Sequence, residues 1–346
     1  MGRQRGLSVD AGYRTRLGTS FYNRVSELNL LEECLGAVRT LIVYGPRNVG
    51  KSELIRYYAA RRAKNRGVVL IDARRGVAEQ YLGGGLERVA ERLAALLAEA
   101  AGLPRGLVAL VEELVRAARR PSLIVIDEFH LLLHGRLREA LAELEALAGL
   151  LAKGGVAATR VVVVVSEGFF ATMEALHRLH GYSVDYLLVE PMDVEHFAAL
   201  YEEYRELRGC GVSLDAYLGL VDAAPGYLPD LCPRSKRLLL AWMNAELQHL
   251  DAAIIEAAEA AGLEPSEARR VAAELLKGEP PRDARRLKVA EKLVELNIAY
   301  PCMTRPRRYL PQLPLYLEAL EARVEPAELL RRLEERGAVL RRCGGG

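Results

Sequence analysis

The chain has 346 residues, 51% of them hydrophobic, with 48 Lys and Arg against 46 Asp and Glu. Such a length predicts two or three domains with ample material for cores, and the balance of charge excludes a global field that would by itself drive binding to nucleic acid or membrane. The five cysteines (Cys34, Cys210, Cys232, Cys302, Cys343) lie far apart with no C-x-x-C pair, which argues against a disulfide framework or a zinc site and for a reducing cytosol.

A basic tail over residues 1–20 (Arg3, Arg5, Arg14, Arg16) lacks the apolar core of a signal peptide. No later apolar run reaches membrane-spanning length, so the expectation is a cytoplasmic protein with no membrane partner. Phe21-Tyr-Asn-Arg24-Val-Ser-Glu27-Leu28 opens a short helix to about Leu35. Leu41-Ile-Val-Tyr44 then reads as a strand running into Gly45-Pro46-Arg47-Asn48-Val49-Gly50-Lys51-Ser52, with an amphipathic helix from Glu53 onward. A Gly-rich turn between a strand and a helix is a phosphate cradle: Gly45 and Gly50 let backbone N–H groups converge, and the helix start adds its positive end. Lys51 would reach the β- and γ-phosphates of ATP, and the Ser52 hydroxyl would complete a Mg²⁺ shell.

Val68-Val-Leu-Ile-Asp72 predicts a second buried strand, and residues 85–120 two helices broken at Gly102-Leu-Pro104. Pro121-Ser-Leu-Ile-Val-Ile126 predicts a central parallel strand ending in Asp127 and Glu128, about 75 residues after Lys51. Asp127 suits the metal and Glu128 suits a general base that polarises water. Such a pairing favours water over a small-molecule acceptor. His130, just beyond, reads as a packing or capping residue. After a helix at 136–151, Arg160-Val-Val-Val-Val-Val165 predicts another buried strand that delivers Ser166 either as a catalytic phosphate sensor or as the N-cap of a helix from Phe169 to Leu179. Tyr186-Leu-Leu-Val-Glu190 is a fifth strand, closed by Pro191. Alternating strands and helices predict an α/β fold, a three-layer P-loop core around a five-stranded parallel sheet.

From Asp193 the pattern is helical, over 193–208, 213–223, 233–249, 251–261 and 265–277. Leu238 to Ala241 and Trp242 read as bundle core. Pro225-Gly226-Tyr-Leu-Pro229 is a rigid turn suited to lie over a ligand. A helix over 283–296, a strand from Asn297, a basic turn and a strand at Tyr309-Leu310 form the pattern of a winged helix, followed by helices at 315–322 and 329–342. Arg282, Arg285, Arg286, Lys288, Lys292, Arg305, Arg307 and Arg308 make 282–308 a candidate contact to DNA phosphates, diluted by Asp283, Glu291 and Glu295.

The ordered set Phe21-x-x-Arg24-x-x-Glu27-Leu28, Tyr44 to Ser52, Ile126-Asp-Glu-Phe129, Ser166 with Met173-x-x-Leu176, Val189-x-Pro-Met192 and Gly226-x-x-Pro229 resembles the archaeal ATPases of the STAND group within the AAA+ superfamily, relatives of the initiators that recognise replication origins. The resemblance implies an ATPase core over 21–191, a helical lid over 192–249, a winged helix over 250–325 and a C-terminal helix and tail over 326–346. It implies ATP, with Mg²⁺, between core and lid, and hydrolysis coupled to lid or oligomer rearrangement. By position, residues 45–53 from Gly45 to Glu53 hold the phosphates, Phe21 and Arg24 flank the base, and Pro229 marks where the lid meets it. Two departures stand out: Ser166-Glu167 replaces the usual Gly-Ser, and Gly181-Tyr-Ser183 the usual Gly-Arg. Arg178 is the nearest cation to the second, so turnover is expected to be slow or to need an arginine from a neighbour, a charge worth about 10³–10⁵ in rate. Two functions follow, an ATP-driven switch read by a protein partner or a second copy, and an ATP-regulated DNA-binding protein.

Overall fold

The computed structural model describes residues 9–62, 67–73, 77–81, 122–129, 137–152, 159–165, 173–303, 306–322, 324–336 and 342–343. The two helices expected at 85–120, together with His130, Ser166, Glu167 and Arg305, lie outside the described residues.

Six strands form the main sheet. They are β3 (Thr40–Tyr44), β4 (Gly67–Asp72), β5 (Val77–Tyr81), β6 (Ser122–Asp127), β7 (Arg160–Val164) and β8 (Val184–Leu188), in the order β5-β4-β6-β7-β3-β8. Five of them are parallel as the alternation predicted, while β5 adds an antiparallel edge against β4 that the sequence reading did not anticipate. The continuous Val, Ile and Leu runs exist because both sheet faces are covered. On one face Leu41, Val43, Leu70, Val125 and Val162 pack beneath α1 (Val25–Ala37) and α2 (Lys51–Arg62); on the other, Ile42, Ile71, Ile126 and Val163 pack against α3 (Leu137–Ala152) and α4 (Met173–Leu179).

Helices α5 (Val194–Arg208), α6 (Leu214–Val221), a 3-10 turn at Pro225–Tyr227 and α7 (Leu228–Leu231) follow, joined to the first face by a shared core. The side chains of Asp193 and Ser213 cap α5 and α6 by accepting from backbone N–H groups. Beyond them α8 (Lys236–Ala261) runs unbroken for 26 residues, correcting the two helices expected at 233–249 and 251–261. No Gly or Pro interrupts that stretch, and Gly262 ends it in the left-handed conformation. Leu239 is buried, but Leu238 is 52% exposed, so only part of the apolar run before Trp242 belongs to the core. Then come α9 (Pro265–Leu276), α10 (Ala284–Glu295), an antiparallel pair β9 (Ala299–Cys302) and β10 (Arg308–Pro311), α11 (Pro314–Ala322) and α12 (Pro326–Arg336). Part of the basic N-terminal segment is also ordered, as β1 (Val9–Arg14) paired with β2 (Ser20–Tyr22).

Two disulfides overturn the expectation that the cysteines form no disulfide framework. Cys210 pairs with Cys232, 22 residues away, and Cys302 with Cys343, 41 residues away, while Cys34 is free. Spacing along the chain misled because folding closes it: the Gly211 N–H donates to Cys232 O at 3.0 Å beside the first pair, and Cys343 packs against the cluster of Tyr300, Cys302 and Leu310 at the second. Among the described residues no helix is long and apolar enough to cross a membrane.

Candidate functional site

Strand β3 ends where β8 passes close by. At Gly45, φ is +143° and an added Cβ would lie 2.2 Å from Val189 O, so only glycine fits. The loop then turns through Asn48 (φ 61°) and Gly50 (φ 96°) into α2. Lys51 is buried and its Nζ donates to Gly45 O at 2.9 Å and Pro46 O at 2.6 Å, folding the ammonium back into its own loop. Desolvation lowers its pKa to about 8, opposed by the nearby Glu128 and Asp127 carboxylates.

Ser52 Oγ donates to Asp127 Oδ1 at 2.8 Å. Asp127 is 2% exposed at the end of β6, and burial raises its pKa to about 6, with the Ser52 bond opposing. A hydroxyl and a buried carboxylate already in contact are the oxygen donors that Mg²⁺ takes, so this pair fits the metal. Glu128 follows at φ 56° and lines a cavity of about 670 Å³ together with Arg47 to Glu53.

Phe21 and Arg24 also line that cavity. The Phe21 ring is stacked 3.8 Å from Tyr57. Arg24, buried and left-handed at φ 69°, donates to Val49 O at 2.6 Å and Glu190 O at 2.8 Å, so its guanidinium ties the phosphate loop to the end of the β8 segment. Over the loop lies the 3-10 turn, where the Gly226 N–H donates to Asn48 O at 2.8 Å. Pro225, Gly226 and Asp230 line the cavity, whereas Pro229 is exposed and does not. The turn thus meets the loop one helical turn before the proline that the resemblance singled out.

Sequence reasoning missed the N-terminal hairpin. Thr15, Arg16, Leu17, Thr19 and Ser20 form one wall, and Met192 and Leu200 add apolar surface. It also missed Gln312, which carries no motif and whose side chain accepts the Arg47 N–H. Arg178 donates to Glu145 Oε2 from Nε at 3.1 Å and Nη2 at 2.9 Å, which engages it on α3.

Several cations of 282–308 are already paired: Arg282 with Glu279, Arg286 with Glu274, and Lys292 with Glu256 and Glu295. Arg285, Lys288 and Arg308 are exposed. Among the described residues no cluster of His, Cys, Asp and Glu suits a further metal ion.

Comparison with solved structures finds distant likenesses. The Walker-type ATPase PABY2304 of Pyrococcus abyssi is 20% identical, with 91% of this chain and 99% of that one covered, at a TM-score of 0.49. The Aeropyrum pernix ORC2 protein, in ADPNP–ADP complexes, is 14% identical (93% and 97% covered, TM-score 0.40), and the Aeropyrum pernix ORC1 protein, in complex with DNA, is 17% identical (91% and 94%, 0.39). Among curated proteins none matches the sequence. Residues 21–231 match a family model, that of an ATPase domain predominantly from Archaea.

Proposed function

The chain belongs to that family of ATPase domains, and on this premise we propose that it is a STAND-type nucleotide switch, in which ATP held between core and lid sets the position of the C-terminal helix and hairpin for a partner to read. The observation that carries this reading is Gln312. Buried where β10 ends, it accepts the Arg47 N–H on Oε1 at 3.0 Å and donates from Nε2 to Ala299 O at 3.3 Å, and its own N–H donates to Ile298 O at 2.9 Å. One side chain therefore joins the phosphate loop to the hairpin, and the donor on one side and acceptor on the other fix the orientation of its amide.

In this reading residues 192–249 act as the lid and 250–325 as a winged helix. Gly45 to Glu53 cradle the phosphates, with Lys51 turning from its loop carbonyls to the β- and γ-oxygens. Ser52 and Asp127 would hold Mg²⁺, which would supply positive charge to neutralise the phosphates there. Glu128 accepts the proton of the attacking water on its carboxylate. Ser166 stays a candidate for sensing the γ-phosphate, and Phe21 and Arg24 for bordering the base. Arg178 is held on Glu145, so slow turnover, or an arginine from a second copy, fits better than one supplied by α4. Among the described residues, binding of DNA through 282–308 rests on the exposed Arg282, Arg285, Lys288 and Arg308, with Arg286 and Lys292 held in ion pairs, and a protein partner or second copy is favoured.

The test is calorimetry with ATP and ADP plus hydrogen exchange over β9 and β10. The wild type should bind Mg·ATP, Lys51→Ala should lose it, and Gln312→Ala should keep binding while uncoupling hairpin exchange from the nucleotide. Unchanged Mg·ATP affinity in Lys51→Ala, or hairpin exchange indifferent to nucleotide in the wild type, would sink the proposal.

A further inference from the structure

The N-terminal hairpin places a cation at the phosphate cavity. Its turn is closed by Thr15 N–H to Thr19 O and Gly18 N–H to Thr15 O, both at 2.9 Å. The hairpin is pinned to the start of α2, since Tyr13 Oη donates to Glu53 Oε1 at 2.9 Å and Tyr57 Oη donates to Asp10 Oδ2 at 2.9 Å. Glu53 directly follows Ser52, so the turn is anchored beside the residues that grip phosphate and metal.

From this turn Arg16, a cavity-lining residue, bonds Asp72 Oδ2 through Nη2 at 2.9 Å. Arg56 Nη2 bonds the same oxygen, also at 2.9 Å. Their side-chain exposures differ: Arg56 and Asp72 are 5% and 3% exposed, and Arg16 is 39%. Asp72 stands opposite Asp127 in the β4–β6 register. Two guanidinium groups thus share one carboxylate oxygen beside the metal-binding acid. The buried Arg56 is enough to keep Asp72 neutralised. Arg16 is the more exposed of the two guanidinium groups, and its pair with Asp72 is the one that water screens.

We propose that Arg16 is a phosphate-binding residue supplied in cis: when a nucleoside di- or triphosphate enters, its guanidinium leaves Asp72 for the phosphate oxygens. This rests on the reading of the cavity as a nucleotide site. The exchange is favourable because guanidinium and phosphate match in bidentate geometry, while Asp72 keeps Arg56. It gives the hairpin a reason to be built across the cavity.

The experiment is calorimetric binding of adenosine, AMP, ADP and ATP with Mg²⁺ to the wild type, Arg16→Gln, Arg16→Lys and, as a probe of the hairpin's anchorage, Tyr13→Phe. Arg16→Gln should weaken ADP and ATP by roughly 10- to 100-fold while leaving adenosine within about twofold, with Arg16→Lys in between. Tyr13→Phe, which loosens the turn that presents Arg16 and keeps the charge, should weaken ADP and ATP less than Arg16→Gln does and should spare adenosine. Equal affinity for ATP in Arg16→Gln and wild type would overturn the role of Arg16, as would an equal loss for adenosine, the mark of a merely structural hairpin. A wild type that binds none of the four would overturn the cavity reading itself.

Discussion

On the proposal that residues 192–249 act as a lid, Gly226→Ala should prise it off the phosphate loop. A Cβ built at Gly226 would lie 2.8 Å from Asn48 Cβ and Asn48 O and 2.9 Å from Asn48 Cα, and two of those atoms are backbone. The new methyl cannot be accommodated by a rotamer change, so the turn must retreat, and with it goes the Gly226 N–H to Asn48 O bond. Overpacking of this kind costs about 1–3 kcal/mol, and the lost hydrogen bond about 1 kcal/mol. Together they amount to roughly 2–4 kcal/mol against the seated lid, a factor of about 30 to 1000. Calorimetry should show a loss of ATP affinity within that range, and hydrogen exchange should show faster exchange at the Gly226 amide. Gly211→Ala is the control, because it lies in the same lid and its Cβ would meet nothing closer than 3.8 Å; it should change stability by under about 0.5 kcal/mol. If Gly226→Ala binds ATP like the wild type and its lid exchanges no faster, the seated turn is not what holds the nucleotide site shut.

Two further outcomes follow from buried groups. Lys51 has a folded pKa of about 8, below its usual 10.5. The folded state therefore binds fewer protons than the unfolded chain between those values, and stability should rise with pH across that window. Phosphate oxygens, by contrast, hold the proton on, so ATP affinity should fall above pH 8 and binding there should take up a proton. Titrations in two buffers of different ionisation enthalpy measure that uptake, and no uptake at pH 9 would refute it. The second outcome concerns the C-terminal strap, where Arg342 bonds Asp222 Oδ2 at 2.7 Å and Met192 O at 3.0 Å and Cys343 closes a span of 41 residues with Cys302. Cys302→Ser should lower stability by up to about 4 kcal/mol through the released chain entropy, seen as a lower Tm; an unchanged Tm would show that the strap holds without the bond.

The parts of this molecule that were legible in the sequence are those where one stretch states its own geometry. Val161 to Val164 could only be a strand covered on both faces, and Leu41 to Ser52 carries strand, turn and helix in twelve consecutive positions. The edge strand β5 reads Val-Ala-Glu-Gln-Tyr, too mixed to signal a strand before its pairing with β4 is known. The expectation of two helices over 233–261 had no breaker behind it, since nothing in 236–261 interrupts a helix.

What the sequence withheld are single polar contacts between distant positions. Gln312 meets Arg47 across 265 residues, and Arg16 meets Asp72 across 56. A hydrophobic face repeats and so leaves a period to read, whereas one hydrogen bond repeats nothing. The same holds for Cys210 with Cys232 and Cys302 with Cys343. These contacts share a location as well as a type. Gln312 ties the hairpin to the loop, Gly226 seats the lid on it, and Arg16 brings the N-terminal hairpin to the acids beside it. Each adds one or two bonds between a separate element and the phosphate site, and each bond is weak enough singly for a bound triphosphate to break or remake. On the proposal of a nucleotide switch, such sparse polar contacts, added to the apolar core that the helices after β8 share with the sheet, are the ones a bound nucleotide would bias.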